Sequence, residues 1–476
     1  MVKQIKTDIC VIGGGSGGLS VAAGASQMGA KTVLVEGGKM GGDCLNYGCV
    51  PSKALLAAAK KATSLKDAAD FGVSGAVPEA DFPKVMDHVR DVIASIAPHD
   101  SVERFEGLGV EVLQGFGHFI SEFELEVNDV RVKARRFVIA TGSRATAPPI
   151  PGLEEAGYLT NETIFENRIK PDHLIIIGGG PIGLEMAQAH ARLGSRVTVL
   201  EAFKAFGRDD PDLSKIVLAE LSRDGIDIRE NVKIANVMKD EAGTYQVSLD
   251  EGEIAEKLTG SHLLVAAGRK ANVENLNLEA AGVEYTPKGI TVDSRLRTSN
   301  KKISAIGDVA GGYQFTHVAN YHAGIFIRNA LFRLPAKVNY SAVPWVTFTD
   351  PELANVGLNE AAAREQYGDK IKVLTFPFSD VDRARAERQT GGMIKAITTG
   401  KGQILGAGIV GPHAGELIHP WGLAISGKLK IGAMASYIAP YPTYGEISKR
   451  VAGSYYTPSL FSSRTRAIVK FLSVFG

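Results

Sequence analysis

The chain has 476 residues, 45% hydrophobic and 22% charged, with 53 Lys and Arg against 52 Asp and Glu, a net charge of +1. That length is more than one hydrophobic core organises and predicts roughly three or four domains, and the even charge balance argues against a nucleic-acid partner. No apolar run approaches the ~20 residues that span a bilayer, and only three cysteines behind an N-terminus without an export signal fit a reducing, cytoplasmic setting.

The first predicted unit is DICVIGGGSGGLSVAAGASQMGAKTVLVE, residues 8–36. An apolar, β-rich run leads into G-x-G-x-x-G, then a helix-period segment, a glycine, a second strand and a terminal glutamate. This is the dinucleotide fingerprint in its required strand–turn–helix context. Gly13, Gly15 and Gly18 let the backbone turn and approach a pyrophosphate seated on the positive end of the helix. Glu36 is placed to accept from a ribose 2′-hydroxyl. Cys10, inside the first strand, reads as a small buried hydrophobe.

Next comes GGDCLNYGCVPSK, residues 41–53, holding Cys44 and Cys49. A tetrahedral metal site would call for further ligands, and the sequence has no second cysteine pair or histidine cluster. A structural staple suits an oxidising compartment and would close only a tiny loop. A redox-active disulfide fits both spacing and setting. In a regular helix residues i and i+5 have Cα atoms roughly 8–9 Å apart, beyond the ~7 Å reach of a disulfide. The segment is therefore expected to depart from regular helix when oxidised, with Gly48 placed to permit it.

A second unit, HLIIIGGGPIGLEMAQAHARLGSRVTVLE (173–201), aligns with the first without gaps. Gly178, Gly180 and Gly183 match the first three glycines, and Glu201 matches Glu36. Glu201 would repel a 2′-phosphate, so this site is expected to prefer NADH to NADPH; Lys204 and Arg208, just beyond, read as a solvated loop.

Two such folds with a cysteine pair just after the first resemble the pyridine nucleotide-disulfide oxidoreductases, which include dihydrolipoamide dehydrogenase, glutathione reductase and mercuric reductase. RRFVIATGSRA (135–145), with Thr141 and Gly142, resembles that family's exit from its first domain. LLVAAGRKANVENL (263–276), with Gly268, resembles the exit from its second. ISAIGDVAGG (303–312) resembles the second flavin motif, in which Asp308 would bind the ribityl chain. The resemblance implies an α/β fold of two Rossmann-like dinucleotide-binding domains plus a C-terminal α+β interface domain. It places an FAD domain at 1–150, an NAD(H) domain at 151–271, a segment completing the FAD domain at 272–342 and a homodimerising domain at 343–476. It also implies Cys49 as the thiol beside the flavin, Cys44 as the outer thiol, and a Lys53–Glu185 pair near flavin N5. Electrons would run from NADH through FAD and the disulfide to a small-molecule or protein acceptor.

The pattern breaks at APYPTYGEI (439–447). Glu446 is in place, but Tyr441 occupies the position of the family's catalytic histidine. Tyrosine, near pKa 10, is a poor proton acceptor at neutral pH. Dihydrolipoamide dehydrogenase and glutathione reductase activities are accordingly expected to fall by about 10²- to 10⁴-fold, unless His317, His322, His413 or His419 takes over. Mercuric reductases share the tyrosine but use a further C-terminal cysteine pair. No cysteine follows Cys49 here, so efficient mercury reduction is not expected, while slow metal reduction stays open. The tail 457–476 interleaves Leu460, Phe461, Ile468, Val469, Leu472 and Phe475 with Arg464, Arg466 and Lys470 at a helical period. Such a segment packs on its own dimer, docks on a partner or lies on an anionic membrane; a redox relay at a membrane-associated partner is the rival to an enzyme.

Overall fold

The computed structural model describes residues 3–75, 79–250 and 256–475. Its chain divides into two compact units: Met1–Phe203 with Asp227–Val338, and Lys204–Ile226 with Asn339–Gly476.

The first unit contains both dinucleotide folds. Strand β1 (Lys3–Ile12), helix α1 (Ser16–Gln27) and strand β2 (Thr32–Glu36) follow one another, and β1 and β2 pair in parallel with Ile9 opposite Thr32. They are followed by α2 (Gly42–Asn46) and α3 (Cys49–Lys66), then β3 (Val110–Gln114), β4 (Gly117–Ser121), β5 (Glu124–Val127) and β6 (Val130–Ile139). The strand order is β3-β2-β1-β6-β5-β4, with Ile303–Ala305 also on β6. The strand Ile303–Ala305 therefore returns late in sequence to the parallel core, carrying Asp308 to the carboxyl ends of the strands, where ligands of such sheets bind. Strands buried on both faces read as continuous apolar runs: Ile9, Cys10, Val11 and Ile12 of β1 are all buried.

The second fold repeats the plan in a four-stranded parallel sheet ordered Asp227–Arg229, Arg196–Leu200, His173–Ile177, His262–Val265. Its helix Pro181–Arg192 packs against α3.

In the second unit, five antiparallel strands run in the order Pro344–Thr347, Glu352–Gly357, Ile404–Gly411, Met393–Thr399, Ile371–Pro377. Trp421 is fully buried against this sheet, and its indole N–H donates to Ser448 Oγ at 3.0 Å. The helix Pro211–Arg223 belongs to this unit. Its Leu213 lies so close to Gly408 that a Cβ there would be 2.4 Å from it. Lys395, 3% exposed, reaches Asp210 at 2.9 Å, Asp212 at 2.5 Å and Glu360 at 3.2 Å. A buried ammonium is tolerated only with such pairing. The chain ends in the helix Ser463–Leu472.

Candidate active site

The two glycine turns are built alike. Gly13 (φ +110°) and Gly178 (φ +118°) take a backbone conformation that L side chains avoid, and a Cβ would meet the carbonyl oxygens of Ala140 and Ala266 at 2.4 and 2.5 Å. At Gly18 and Gly183 a Cβ would fall 1.9 and 2.0 Å from the oxygens of Gly13 and Gly178, so only glycine lets helix and turn close. Gly15 and Gly180 are the N-caps and supply no side-chain cap to the first turns of their helices. The space before Gly180 is open to 4 Å. Unsatisfied N–H groups at the positive end of a helix suit a pyrophosphate, so both turns fit a dinucleotide.

Each turn is tied to its acidic residue in the same way. Glu36 accepts from Gly14 N–H at 2.5 Å and Gly38 N–H at 2.5 Å. Glu201 accepts from Gly179 N–H at 2.6 Å and Phe203 N–H at 2.9 Å. The two carboxylates are thus held at the ends of their strands. Thr141 and Gly142 sit where the exit strands cross: Thr141 Oγ1 donates to Asn272 O at 2.7 Å, and Asn272 N–H to Gly142 O. Gly268 O accepts from Thr146 N–H on the facing segment.

Between Cys44 and Cys49 the helix breaks. Helix α2 stops at Asn46, and α3 starts at Cys49 after Tyr47 and Gly48. A Cβ on Gly48 would lie 3.1 Å from both Asp43 O and Asp43 Oδ2, so the turn is tight as well as irregular. Both cysteines are thiols in this structure and share a hydrogen bond. The bond donated by Cys44, a further bond from Thr316 and the charge of Lys53 outweigh burial and lower the Cys49 thiol to about 6. Cys44 is raised above the usual thiol range by that same bond, by burial and by the nearby negative charges. In the reduced pair the shared hydrogen bond thus favours the thiolate on Cys49 over that on Cys44. Thr316 Oγ1 lies 3.4 Å from Cys49 Sγ.

One helical turn beyond Cys49, Lys53 Nζ meets Glu185 Oε2 at 2.7 Å. Glu185 is buried at 5% exposure, where an ionised carboxylate calls for a charged partner such as this lysine.

Asp308 sits in the turn Gly307–Ala310. Its Oδ2 accepts from Ser143 Oγ at 2.6 Å, and burial pushes its carboxyl upward against the pull of Ser143 and Arg269. Arg269 donates to Ser143 Oγ at 2.9 Å and reaches Asp43 Oδ2 at 3.2 Å. Asn161 Nδ2 donates to Asp43 Oδ1 at 2.9 Å. A polar chain thus joins Asp308 to the residue preceding Cys44. The sequence reading missed Asp43, Ser143, Arg269 and Thr316. Asp43, Ser143 and Arg269 lie within the stretches it quoted, yet as single polar residues they gave no pattern.

Tyr441 and Glu446 belong to the second unit. The Tyr441 hydroxyl donates to Asp382 Oδ2 at 3.0 Å, and the side chain is 69% exposed. That bond and the charge of Asp382 raise the phenol above its ordinary value. Glu446 opens the helix Glu446–Ser454, and its Oε1 lies 3.9 Å from Arg450. Of the four alternative histidines, His322 is buried, accepts from Gly307 N–H at 3.1 Å, and is lowered to about 4 by burial. His317 stacks on Phe315 with centroids 5.2 Å apart. His413 and His419 are exposed, the first beside Tyr444 and the second with Nδ1 3.1 Å from Glu416 O. Among the described residues no group of three or more His, Cys, Asp or Glu could hold a metal ion.

Comparison with known proteins gives consistent matches. The profile described as pyridine nucleotide-disulphide oxidoreductase matches residues 7–323, and that of the same family's dimerisation domain matches 343–452. A mercuric reductase of Bacillus cereus is 36% identical over 442 residues, 92% of this chain and 70% of that protein. A dihydrolipoyl dehydrogenase of Chlamydia trachomatis is 35% identical over 452 residues, 92% of this chain and 95% of that one. Among solved structures, the Cu(II) complex of the HOCl-induced flavoprotein disulfide reductase RclA from Escherichia coli aligns with a TM-score of 0.85. It is 28% identical and covers 94% of this chain and 99% of its own.

Proposed function

Because the chain belongs to the pyridine nucleotide-disulphide oxidoreductases, flavoproteins that use FAD and NAD(P)H, we propose that it is an NADH-preferring oxidoreductase. It reduces an acceptor through the Cys44–Cys49 pair without a histidine base at the outer thiol. Bound FAD would supply two-electron redox chemistry between the nicotinamide and the cysteine pair.

The chain's own residues divide the remaining work. Gly13, Gly15 and Gly18 would seat the FAD pyrophosphate, with Glu36 on its ribose and Asp308 on the ribityl chain. Gly178, Gly180, Gly183 and Glu201 would do the same for NAD(H). The Lys53–Glu185 pair fixes a positive charge one helical turn from Cys49, where it favours the thiolate. Cys44 would be the outer thiol that meets the acceptor, giving up its proton to attack as the thiolate. With NADH and a disulfide acceptor the balance is NADH + H⁺ + RSSR → NAD⁺ + 2 RSH, the two cysteines returning to a disulfide each cycle.

One observation carries the acceptor class: Tyr441, at the position of the missing base, donates its hydroxyl proton to Asp382, and that bond raises the phenol above its ordinary value. It cannot take a proton from a dithiol at neutral pH, which favours acceptors that need little proton transfer, such as an activated disulfide, a quinone or a metal ion. The likeness to a reductase solved as a Cu(II) complex supports the metal ion. The dimerisation-domain match supports a homodimer, and the scarcity of cysteine supports a reducing, cytoplasmic compartment.

The test is an acceptor panel with NADH and purified FAD-loaded protein, set beside dihydrolipoamide oxidation with NAD⁺. Turnover of an activated disulfide, quinone or Cu(II) that is lost in Cys44→Ser and Cys49→Ser is the expected result. Fast dihydrolipoamide oxidation by the wild type would instead identify a dihydrolipoamide dehydrogenase with a relocated base.

A further inference from the structure

We propose that the C-terminal segment from Leu460 to Phe475 docks the enzyme on an anionic phospholipid bilayer. The helix Ser463–Leu472 buries none of its residues, and every residue from Arg466 to Phe475 is exposed. Ile468, Val469, Phe471 and Leu472, spaced i, i+1, i+3 and i+4, form one face, while Arg466 and Lys470 lie one turn apart on the other. Val469 is 60% and Phe471 64% exposed. Contiguous exposed apolar side chains of this kind mark an interaction surface. A helix of 10 residues is also marginal in water by itself, so it needs a surface to lie on.

Charge selects the occupant. Residues 457–476 hold three cations and no Asp or Glu, in a chain whose charges otherwise nearly cancel. A cationic face opposite a Phe- and Leu-rich face is the pattern of helices lying in the headgroup region, where apolar side chains enter the acyl boundary and Lys or Arg meet acidic lipid. The segment also begins beyond residue 452, the end of the match to the family's dimerisation domain. No helix among the described residues is long and apolar enough to cross a membrane, so the contact is peripheral. It rests on the tail alone and is independent of the acceptor.

Flotation of the full-length FAD-loaded protein tests it, using vesicles of equal parts phosphatidylglycerol and phosphatidylcholine against vesicles of phosphatidylcholine alone. The wild type should float with the anionic vesicles, and rising salt should release it. The double variant Phe471→Glu, Leu472→Glu should stay at the bottom. Arg466→Gln with Lys470→Gln should partition at least about tenfold less, since each cation near an acidic surface contributes about a fivefold gain. Light scattering should find both variants as dimeric as the wild type, with unchanged turnover of a soluble acceptor. Failure of the wild type to float, or equal flotation with both vesicles, overturns the proposal. Conversion of the dimer to monomer by the apolar-to-Glu variant would show that the partner subunit covers the face instead.

Discussion

On the helix of the first dinucleotide fold position 20 is a serine; at the matching position of the second, 185 is a glutamate. The folds are otherwise near copies, with the same left-handed glycine, the same closure of helix on turn and the same two-amide grip on a terminal carboxylate. Ser20 is exposed, its one hydroxyl proton shared between Ser16 O at 2.8 Å and Asn320 Oδ1 at 2.9 Å. Glu185 is buried and pairs with Lys53. The thiols in turn follow only the first fold. The duplicated turns thus share a geometry that fits phosphates, and the copies diverge where a pair of cysteines follows one and a buried carboxylate on the helix of the other reaches Lys53 of α3.

The largest effects come from breaking one copy at a time. Gly18→Ala places a methyl 1.9 Å from Gly13 O, and Gly183→Ala one 2.0 Å from Gly178 O; neither fits without moving the backbone. The first variant should purify colourless. The second should remain yellow but bind NADH at least about a hundredfold more weakly, as expected when several phosphate contacts are lost together. Absorbance and NADH titration read both. A Gly183→Ala protein that loses flavin and keeps NADH would reverse the assignment of the folds.

Next in size is the divergent position itself. Lys53→Met removes the ammonium that meets the buried Glu185 carboxylate at 2.7 Å, lowering stability by up to about 3 kcal/mol, measurable by denaturant unfolding. It also removes a positive charge that lowers Cys49. Because that thiol is held down to about 6, its thiolate is present above that pH and disappears as pH falls through it. In Lys53→Met the midpoint should move up toward the ordinary thiol value near 8.5, read from long-wavelength absorbance of the NADH-reduced protein. An unmoved midpoint would mean that Cys44 and Thr316 alone set it.

Tyr441→His should raise dihydrolipoamide oxidation by about 10- to 100-fold, a part of what a well-placed general base provides. The gain should grow from pH 6 to 8, since the imidazole acts as a base only when neutral, above its ordinary pKa near 6.5. No gain at any pH would show that the missing histidine is not what limits that reaction.

What could be read from the sequence follows the same line as the duplication. Turns and strands repeat at fixed spacing, so Gly13 to Glu36 and Gly178 to Glu201 were visible without a structure; the break at Gly48 was expected for the oxidised pair and is present here with free thiols. The chain Asp308–Ser143–Arg269–Asp43 was not, because its members lie up to 265 residues apart and meet only when the exit strands cross at Ser143–Ala145 and Arg269–Ala271. Nor was the place of the helix Pro211–Arg223. It follows the second fold in sequence, and an apolar stripe does not say which sheet it will cover. Here the stripe meets Gly408, while Asp210 and Asp212 are held by Lys395.

The smallest expected effect separates the two terminal glutamates. Both hold their turns through backbone amides, but only at the second site does the ligand come in forms with and without a 2′-phosphate. Glu201→Gln keeps an oxygen for one amide and removes the charge. The ratio of kcat/KM for NADPH to that for NADH should therefore rise about tenfold, the worth of one unfavourable charge contact of about 1.4 kcal/mol. Glu36→Gln should leave that ratio untouched and act on FAD retention instead. Wild-type protein that uses NADH and NADPH equally well would mean that Lys204 and Arg208 already offset Glu201, and the two glutamates would then differ in sequence context but not in selectivity.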